Sequence, residues 1–457
     1  MSDHHLPRYH VRPPTGYVND PNGPVFFGGR WHLFFQYVHD TPRRGPVVWG
    51  HASSADLARW QLHRPALSPH PEGPDRNGCW SGNTVAVGNE LVAFYSGSRH
   101  GSPYQSVLSA RSVDGGHSFG PPRQVVPDPS PSEGVAEFRD PFVWQENGTW
   151  SMLVGAGSIP DGPSARLYTS PDLETWEYQG PYAAMKPNTE AAVDVGDMWE
   201  CPQLLSYGNR DALLVSSYGF HGGGPRQVLA LSGSRVDGRL IADRIEQVDH
   251  GPNFYAASVL RDGALLWGWI TEGRSADWAN EADWSGLISL PRTASLTADG
   301  RLATTPVTSL TTLRESEIHP ATHDRAAPAS TSYEGLPAQF ELETTLTRTT
   351  APTTLSLQCS YDEHLDVTVD WDTGAVTIDR AHASRDPRAH RDSHTFTDPD
   401  ITATGTLALR WFVDGSVSEL FTASGYCATT RFYPITPPPW TLTLTDPGPT
   451  QLWSLTP

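Results

Sequence analysis

A short acidic turn recurs through the first half of the chain and limits the available folds more than any other feature. The segments SADLARW, SVDGGHSF and SPDLETW place Asp56, Asp114 and Asp172 at successive intervals of 58 residues, and SRVDGRL brings Asp237 a further 65 along. Ser and Asp favour turns because their short side chains hydrogen-bond nearby backbone. Between the turns lie alternating runs such as VFFGGRWHLFFQY, ELVAFYSGS, TWSMLVGAGS, DALLVSSYG and ALLWGWI. That is the period of half-buried strands, and amphipathic helices are scarce. A strand-rich unit repeated at this interval predicts a β-propeller, in which radial repetition leaves only short sheet edges. About 300 residues at about 60 per unit make roughly five blades. The alternative is a set of unrelated hairpins with the same turn chemistry.

The texture changes after LISLPRTASLTADGRLATTP. Residues 306–335, rich in Thr, Ala and Pro, are predicted to be a linker. From 336 to 457, runs such as AQFELETTL, TTLSLQCSY, LDVTVDW and TLALRWFVDGSVSELF alternate again and read as a β-sandwich. The expected fold is therefore all-β: a five-bladed propeller over 1–305, a linker, and a C-terminal sandwich.

Lys and Arg number 32 against 51 Asp and Glu, a formal net charge of −19. This argues against a nucleic-acid backbone or an anionic membrane as partner. Four cysteines, at 79, 201, 359 and 427, lie too far apart for a zinc ligand set or a dense disulfide framework. The start, MSDHHLPRYHVRPP, lacks the apolar core of a signal peptide, and no apolar run approaches a membrane span. A cytoplasmic protein is expected, or a secreted one if the start has been trimmed. His39, His51 and His100 are not spaced as ligands, so neither a metal nor an organic cofactor is implied.

Three acids sit in unusual settings: Asp20 in VNDPNG, Asp140 in EFRDPF and Glu200 in MWECPQ. Each is followed by Pro, directly or one residue later, and each falls in a different predicted blade. Pro fixes φ and stiffens the backbone around a side chain that must be aimed. Singly, each acid reads as a turn residue. Together they suit a propeller, whose inner strands converge on one funnel.

GYVNDPNG, FRDP and WECP resemble the signature motifs of glycoside hydrolase family 32, the invertases and fructan hydrolases. The resemblance continues through HLFFQY, VWGHASSADLARW, GCWSGN, DHGPNFYA, WGWITE, SLPR and FVDGSVSELF in the family's order. It implies a five-bladed propeller followed by a sandwich, and release of terminal β-D-fructofuranosyl residues from sucrose or short fructans, a small carbohydrate partner. It assigns Asp20 as nucleophile, Glu200 as general acid/base and Asp140 as transition-state stabiliser. Asn19, Gln36, Trp80 and Ser81 match sugar-binding positions, and Arg139 is expected to fix Asp140 and contact substrate. Retaining hydrolysis needs an ionised carboxylate and a protonated one about 5 Å apart. Burial and neighbouring charge would keep the proton on Glu200, and hydrogen bonds would keep Asp20 ionised. Trp49 is expected to pack between blades, while Trp269 either packs or lines the funnel.

Two positions depart from the family pattern. Arg44 stands where an aromatic usually lines the pocket entrance, and Asn253 replaces the usual acid of its motif. Competing readings are a fructosyltransferase, a sugar-binding propeller without catalysis, and an inverting glycosidase on a related propeller.

Overall fold

The alternating runs do form strands, and the two α-helices among the described residues, Ala276–Glu281 and Pro399–Thr404, have six residues each. The structure is a computed structural model that describes residues 3–39, 45–99, 104–186, 193–220, 223–321, 330–445 and 447–457. Its first part is a β-propeller of antiparallel meanders.

Three of the four acidic turns share one structure. Ser54 Oγ donates to Asp56 Oδ1 at 3.0 Å, and the same oxygen accepts the backbone N–H groups of Ala58 and Arg59. Ser112 with Asp114, and Ser170 with Asp172, repeat the arrangement. Each turn links the last two strands of its unit, so the spacing seen in the sequence is a true structural period. The fourth differs: Asp237 and Gly238, at φ 48° and 74°, make a two-residue hairpin between Gly224–Val236 and Arg239–Gln247. Positive φ at both positions suits the right-handed twist of the paired strands.

The strands Gly16–Phe27, Gly78–Val87, Val135–Glu146, Met198–Tyr207 and Phe254–Leu260 open successive meanders. They pack side by side in a ring, the last returning to the first. The ring is also tied from the far end of the domain, where Trp284 and Ser285 pair in parallel with Gly16 and Tyr17.

The second part is a β-sandwich of two six-stranded sheets. Trp411, Trp440, Phe340, Leu342 and Val367 are among the buried side chains between them. The expected linker at 306–335 is corrected here. Arg314–Glu317 pairs with Pro447–Leu455, and Ser330–Leu336 pairs with Trp440–Thr445, so this stretch supplies an edge strand to each sheet. Edge strands face water along much of their length and carry polar residues, which is why the composition reads as a spacer. Leu310 and Leu313 of the 3₁₀ helix Thr308–Leu313 are buried as well.

Propeller and sandwich meet over a buried ionic network. Arg292 donates to Asp249 at 2.8 Å and to Glu419 at 2.6 Å, and Asp249 accepts from Thr429. His10 lies between Asp414 and Glu419, 2.9 Å from each.

Candidate active site

Every one of the ring-forming strands carries a β-bulge in its first half. Pairing slips at Val18/Pro21, Cys79/Gly82, Arg139/Phe142, Glu200/Gln203 and Tyr255/Ser258. A bulge leaves residues outside the ladder and re-aims their side chains. The skipped residues are Asn19 and Asp20, Trp80 and Ser81, Asp140 and Pro141, Cys201 and Pro202, and Ala256 and Ala257. Asp140, Cys201 and Ala256 adopt φ of 66°, 46° and 48°. Pro141 and Pro202 thus occupy positions where no ladder N–H is needed.

The bulges bring the three acids together. Asp20 Oδ2 accepts from Ser81 Oγ at 2.5 Å and Gln36 Nε2 at 3.1 Å. Gln36 also donates to Ser81 Oγ. Asp140 Oδ2 accepts the backbone N–H of Cys201 at 3.0 Å, and its Oδ1 accepts from Ser96 Oγ at 3.4 Å. The Cys201 thiol lies 3.7 Å from both the Asp20 and Asp140 carboxylates, and Glu200 is its chain neighbour. Arg139 sends Nε and Nη2 to Glu200 Oε1 at 3.0 and 2.8 Å, its third nitrogen to Glu137, and lies over the Tyr218 ring. Arg139 therefore holds Glu200 more closely than Asp140, which it meets only at 4.0 Å.

Tyr255 hydroxyl lies 2.7 Å from Glu200 Oε2 and 3.0 Å from the Ser217 carbonyl. It has one hydrogen and two lone pairs. With Glu200 ionised, Tyr255 donates to it; with Glu200 protonated, Tyr255 accepts that proton's hydrogen bond and donates to Ser217. The hydroxyl can thus pair with either form of a carboxyl group.

Burial raises the pKa of Asp20, the charges of Glu200 and Asp140 raise it further, and the Ser81 hydrogen bond opposes them; the balance is about 7. Asp140 is raised by burial against the opposing Arg139 charge, to about 6. The hydrogen bonds to Asp20 lower its pKa as expected, and desolvation in company with two other acids outweighs them.

Asn19 Oδ1, Gln36 Oε1, Trp80 Nε1 and Trp269 Nε1 are buried at this funnel without a hydrogen-bond partner among the described residues. Trp80 and Trp269 pack against Tyr17, Val38 and Val47. Trp49 is fully buried and donates to the Trp80 carbonyl, a packing role as expected. Asn253 is engaged with the sandwich: its Oδ1 accepts from the Arg431 backbone and from Arg380. Arg44 and His100 lie outside the described residues. Sequence reasoning missed Glu137, Tyr255, Ser96 and Cys201, although they sit inside EFRDPF, DHGPNFYA, ELVAFYSGS and MWECPQ. A cavity of about 810 Å³ at the other end of the ring strands, lined by Val25, Thr84, Val143 and Val259, contains none of the three acids.

A propeller that gathers three carboxylates, an arginine and two amide oxygens without a partner among the described residues in one funnel has the makings of a carboxylate glycosidase. The chain belongs to glycosyl hydrolases family 32: the family's N-terminal domain model matches residues 10–306 and its C-terminal model residues 309–445. It is a glycoside hydrolase. It is 31% identical to a raffinose invertase of Escherichia coli over 94% of this chain and 89% of that protein. It is 29% identical to a sucrose-6-phosphate hydrolase of Bacillus subtilis, over 95% and 90% respectively. A solved β-fructofuranosidase of Bombyx mori superposes with a TM-score of 0.81 at 25% identity, covering 100% of this chain and 95% of that one.

Proposed function

We propose that this protein releases terminal β-D-fructofuranosyl residues from sucrose or short fructans with retention of configuration. Asp20 attacks the anomeric carbon while Glu200 gives its proton to the departing glycosidic oxygen. The products of this step are a fructosyl ester on Asp20 and the free leaving sugar. Glu200, now ionised, takes a proton from water, which attacks the ester and frees fructose and Asp20. Asp140 accepts hydrogen bonds from ring hydroxyls as positive charge develops, and Arg139 with Tyr255 holds Glu200 through both of its protonation states. Asn19, Gln36, Ser81 and Trp80 surround the sugar, the amides and hydroxyl meeting its hydroxyls and the indole its apolar face.

The observation that supports this most is the gathering of Asp20, Asp140 and Glu200 around Cys201 beside buried amide oxygens with no partner among the described residues. Such atoms favour a ligand rich in hydroxyl groups. In the same reading the propeller has five blades. The eight-stranded sheet counts as two blades joined only through Gly157 and Met198. The propeller then runs to about residue 306 and the sandwich begins near 314.

The test is fructose release from sucrose. Glu200→Gln is expected to cut kcat by about 10²–10⁴-fold, the range for losing general acid catalysis. Proton NMR of the first-formed product should show the β anomer. First-formed α-fructose would exclude the retaining route, and undiminished turnover by Glu200→Gln would exclude its role as acid.

A further inference from the structure

Away from the funnel, two imidazoles of one propeller unit meet a third from the next unit at the seam between them. His51 lies on the strand Val48–Ser54, His63 follows the strand Trp60–Leu62, and His117 sits in the turn after Ser106–Ser112. One ring nitrogen from each falls within 4.8 Å of the others. The ring centres of His63 and His117 are 4.5 and 5.4 Å from that of His51, and 4.9 Å from each other.

A chain of hydrogen bonds fixes which His51 nitrogen is left over. His32 Nε2 faces the Phe27 carbonyl at 3.2 Å, and a carbonyl only accepts, so this nitrogen carries the proton. Neutral His32 then has an acceptor at Nδ1, which lies 3.0 Å from His51 Nε2. His51 must donate through Nε2, and its Nδ1 holds a bare lone pair. That nitrogen is buried and has no hydrogen-bond partner among the described residues. His51 itself is fully buried. An imidazole that donates one N–H to an outer partner and leaves the other nitrogen bare is arranged as a metal ligand. His63 is oriented in turn by Ser53, 2.8 Å from its Nε2.

We propose that His51, His63 and His117 form a binding site for one divalent transition-metal ion of the zinc, nickel or copper type. Three imidazoles with a water as fourth ligand match zinc coordination, and imidazole suits these ions in general. Asp114 is nearby, but Oδ1 is engaged by Ser112, His117 and Ser118, and Oδ2 by Ser118. Three nitrogen ligands therefore disfavour magnesium and calcium, which require oxygen ligands. Zn–N bonds of about 2.0–2.1 Å bring ligand nitrogens to about 3.4 Å apart. Closing on the ion takes movements on the order of 1 Å, within reach of His117, which is exposed on its turn. The bound ion ties two neighbouring units of the propeller together.

The experiment uses the full chain without a polyhistidine tag, stripped by chelator and titrated with ZnCl2 by calorimetry. One equivalent is expected to bind and to raise Tm, MgCl2 is expected to do neither, and cobalt(II) should give the visible spectrum of a low-coordinate imidazole site. His63→Ala and His117→Ala remove ligands that are not fully buried. Each should weaken zinc binding by at least about 10–100-fold, the loss typical even for an outer partner of a ligand. His319→Ala, an exposed histidine elsewhere, should bind as wild type does. The proposal falls if both ligand variants bind ZnCl2 as tightly as wild type, or if the wild-type Tm does not respond to zinc.

Discussion

At the scale of single residues, the site is a place where ionisation is costly and yet required. Asp20 is raised to about 7 by burial and by the charges of Glu200 and Asp140, with Ser81 pulling the other way. Attack on the sugar needs the ionised form, so kcat/KM should fall as pH drops below about 7. Removing a hydrogen bond to a charged group costs about 1.5–3 kcal/mol, or about one to two pH units. Ser81→Ala should therefore move the acid limb of the kcat/KM profile on sucrose upward by about that amount. An acid limb that stays in place would mean that another group titrates there. Asp20→Asn should abolish turnover while leaving the melting temperature at neutral pH unchanged or higher, because it removes a buried charge. A clear fall in Tm would refute that account of the site's electrostatics.

At the scale of elements, the bulged strands set where the acids point, and their spacing depends on close backbone contact. Gly155, on Thr149–Ser158, pairs with Arg139. A Cβ added there would lie 2.2 Å from the Trp199 carbonyl oxygen and 3.2 Å from that of Arg139. Both obstacles are backbone, so the strands carrying Arg139 and Glu200 must part. Gly155→Ala is expected to cost about 1–3 kcal/mol of stability. It should also lower kcat/KM on sucrose by about tenfold, as expected for about 1.4 kcal/mol of lost transition-state stabilisation when the Arg139–Glu200 bonds lengthen. Urea unfolding together with steady-state kinetics reads both effects; wild-type behaviour in both would show that this contact does not set the strand spacing. The sequence contains the Gly, but only the neighbouring strand makes it indispensable.

At the scale of the whole molecule, a buried charge network joins the N-terminal segment, propeller and sandwich. Burial alone would lower the pKa of His10, but hydrogen bonds to Asp414 and Glu419 raise it to about 9. In the unfolded chain it is about 6.5. The folded state holds this proton more tightly, so the stabilisation is fully present below about pH 6.5 and is lost as pH rises through 9. The difference corresponds to about 3 kcal/mol. Wild type should lose stability between neutral pH and pH 9.5 in denaturant melts. His10→Gln should be less stable at pH 6 and show a flatter decline; parallel curves would rule out His10 as the linked group.

By itself the sequence determined the all-β architecture, through a turn repeated every 58 residues and strands of period two, and singled out Asp20, Asp140 and Glu200 through their Pro-flanked motifs. These are local signals, written in residues that touch their own neighbours. Tertiary structure alone decided that Arg139 grips Glu200, that Tyr255 serves it, that Asn253 faces the sandwich, and that His51, His63 and His117 share a seam. It also made sheet edges of a stretch whose composition resembles a spacer. The reason is range: register slips and strand packing bring together residues tens of positions apart, and no local pattern records which of them will meet.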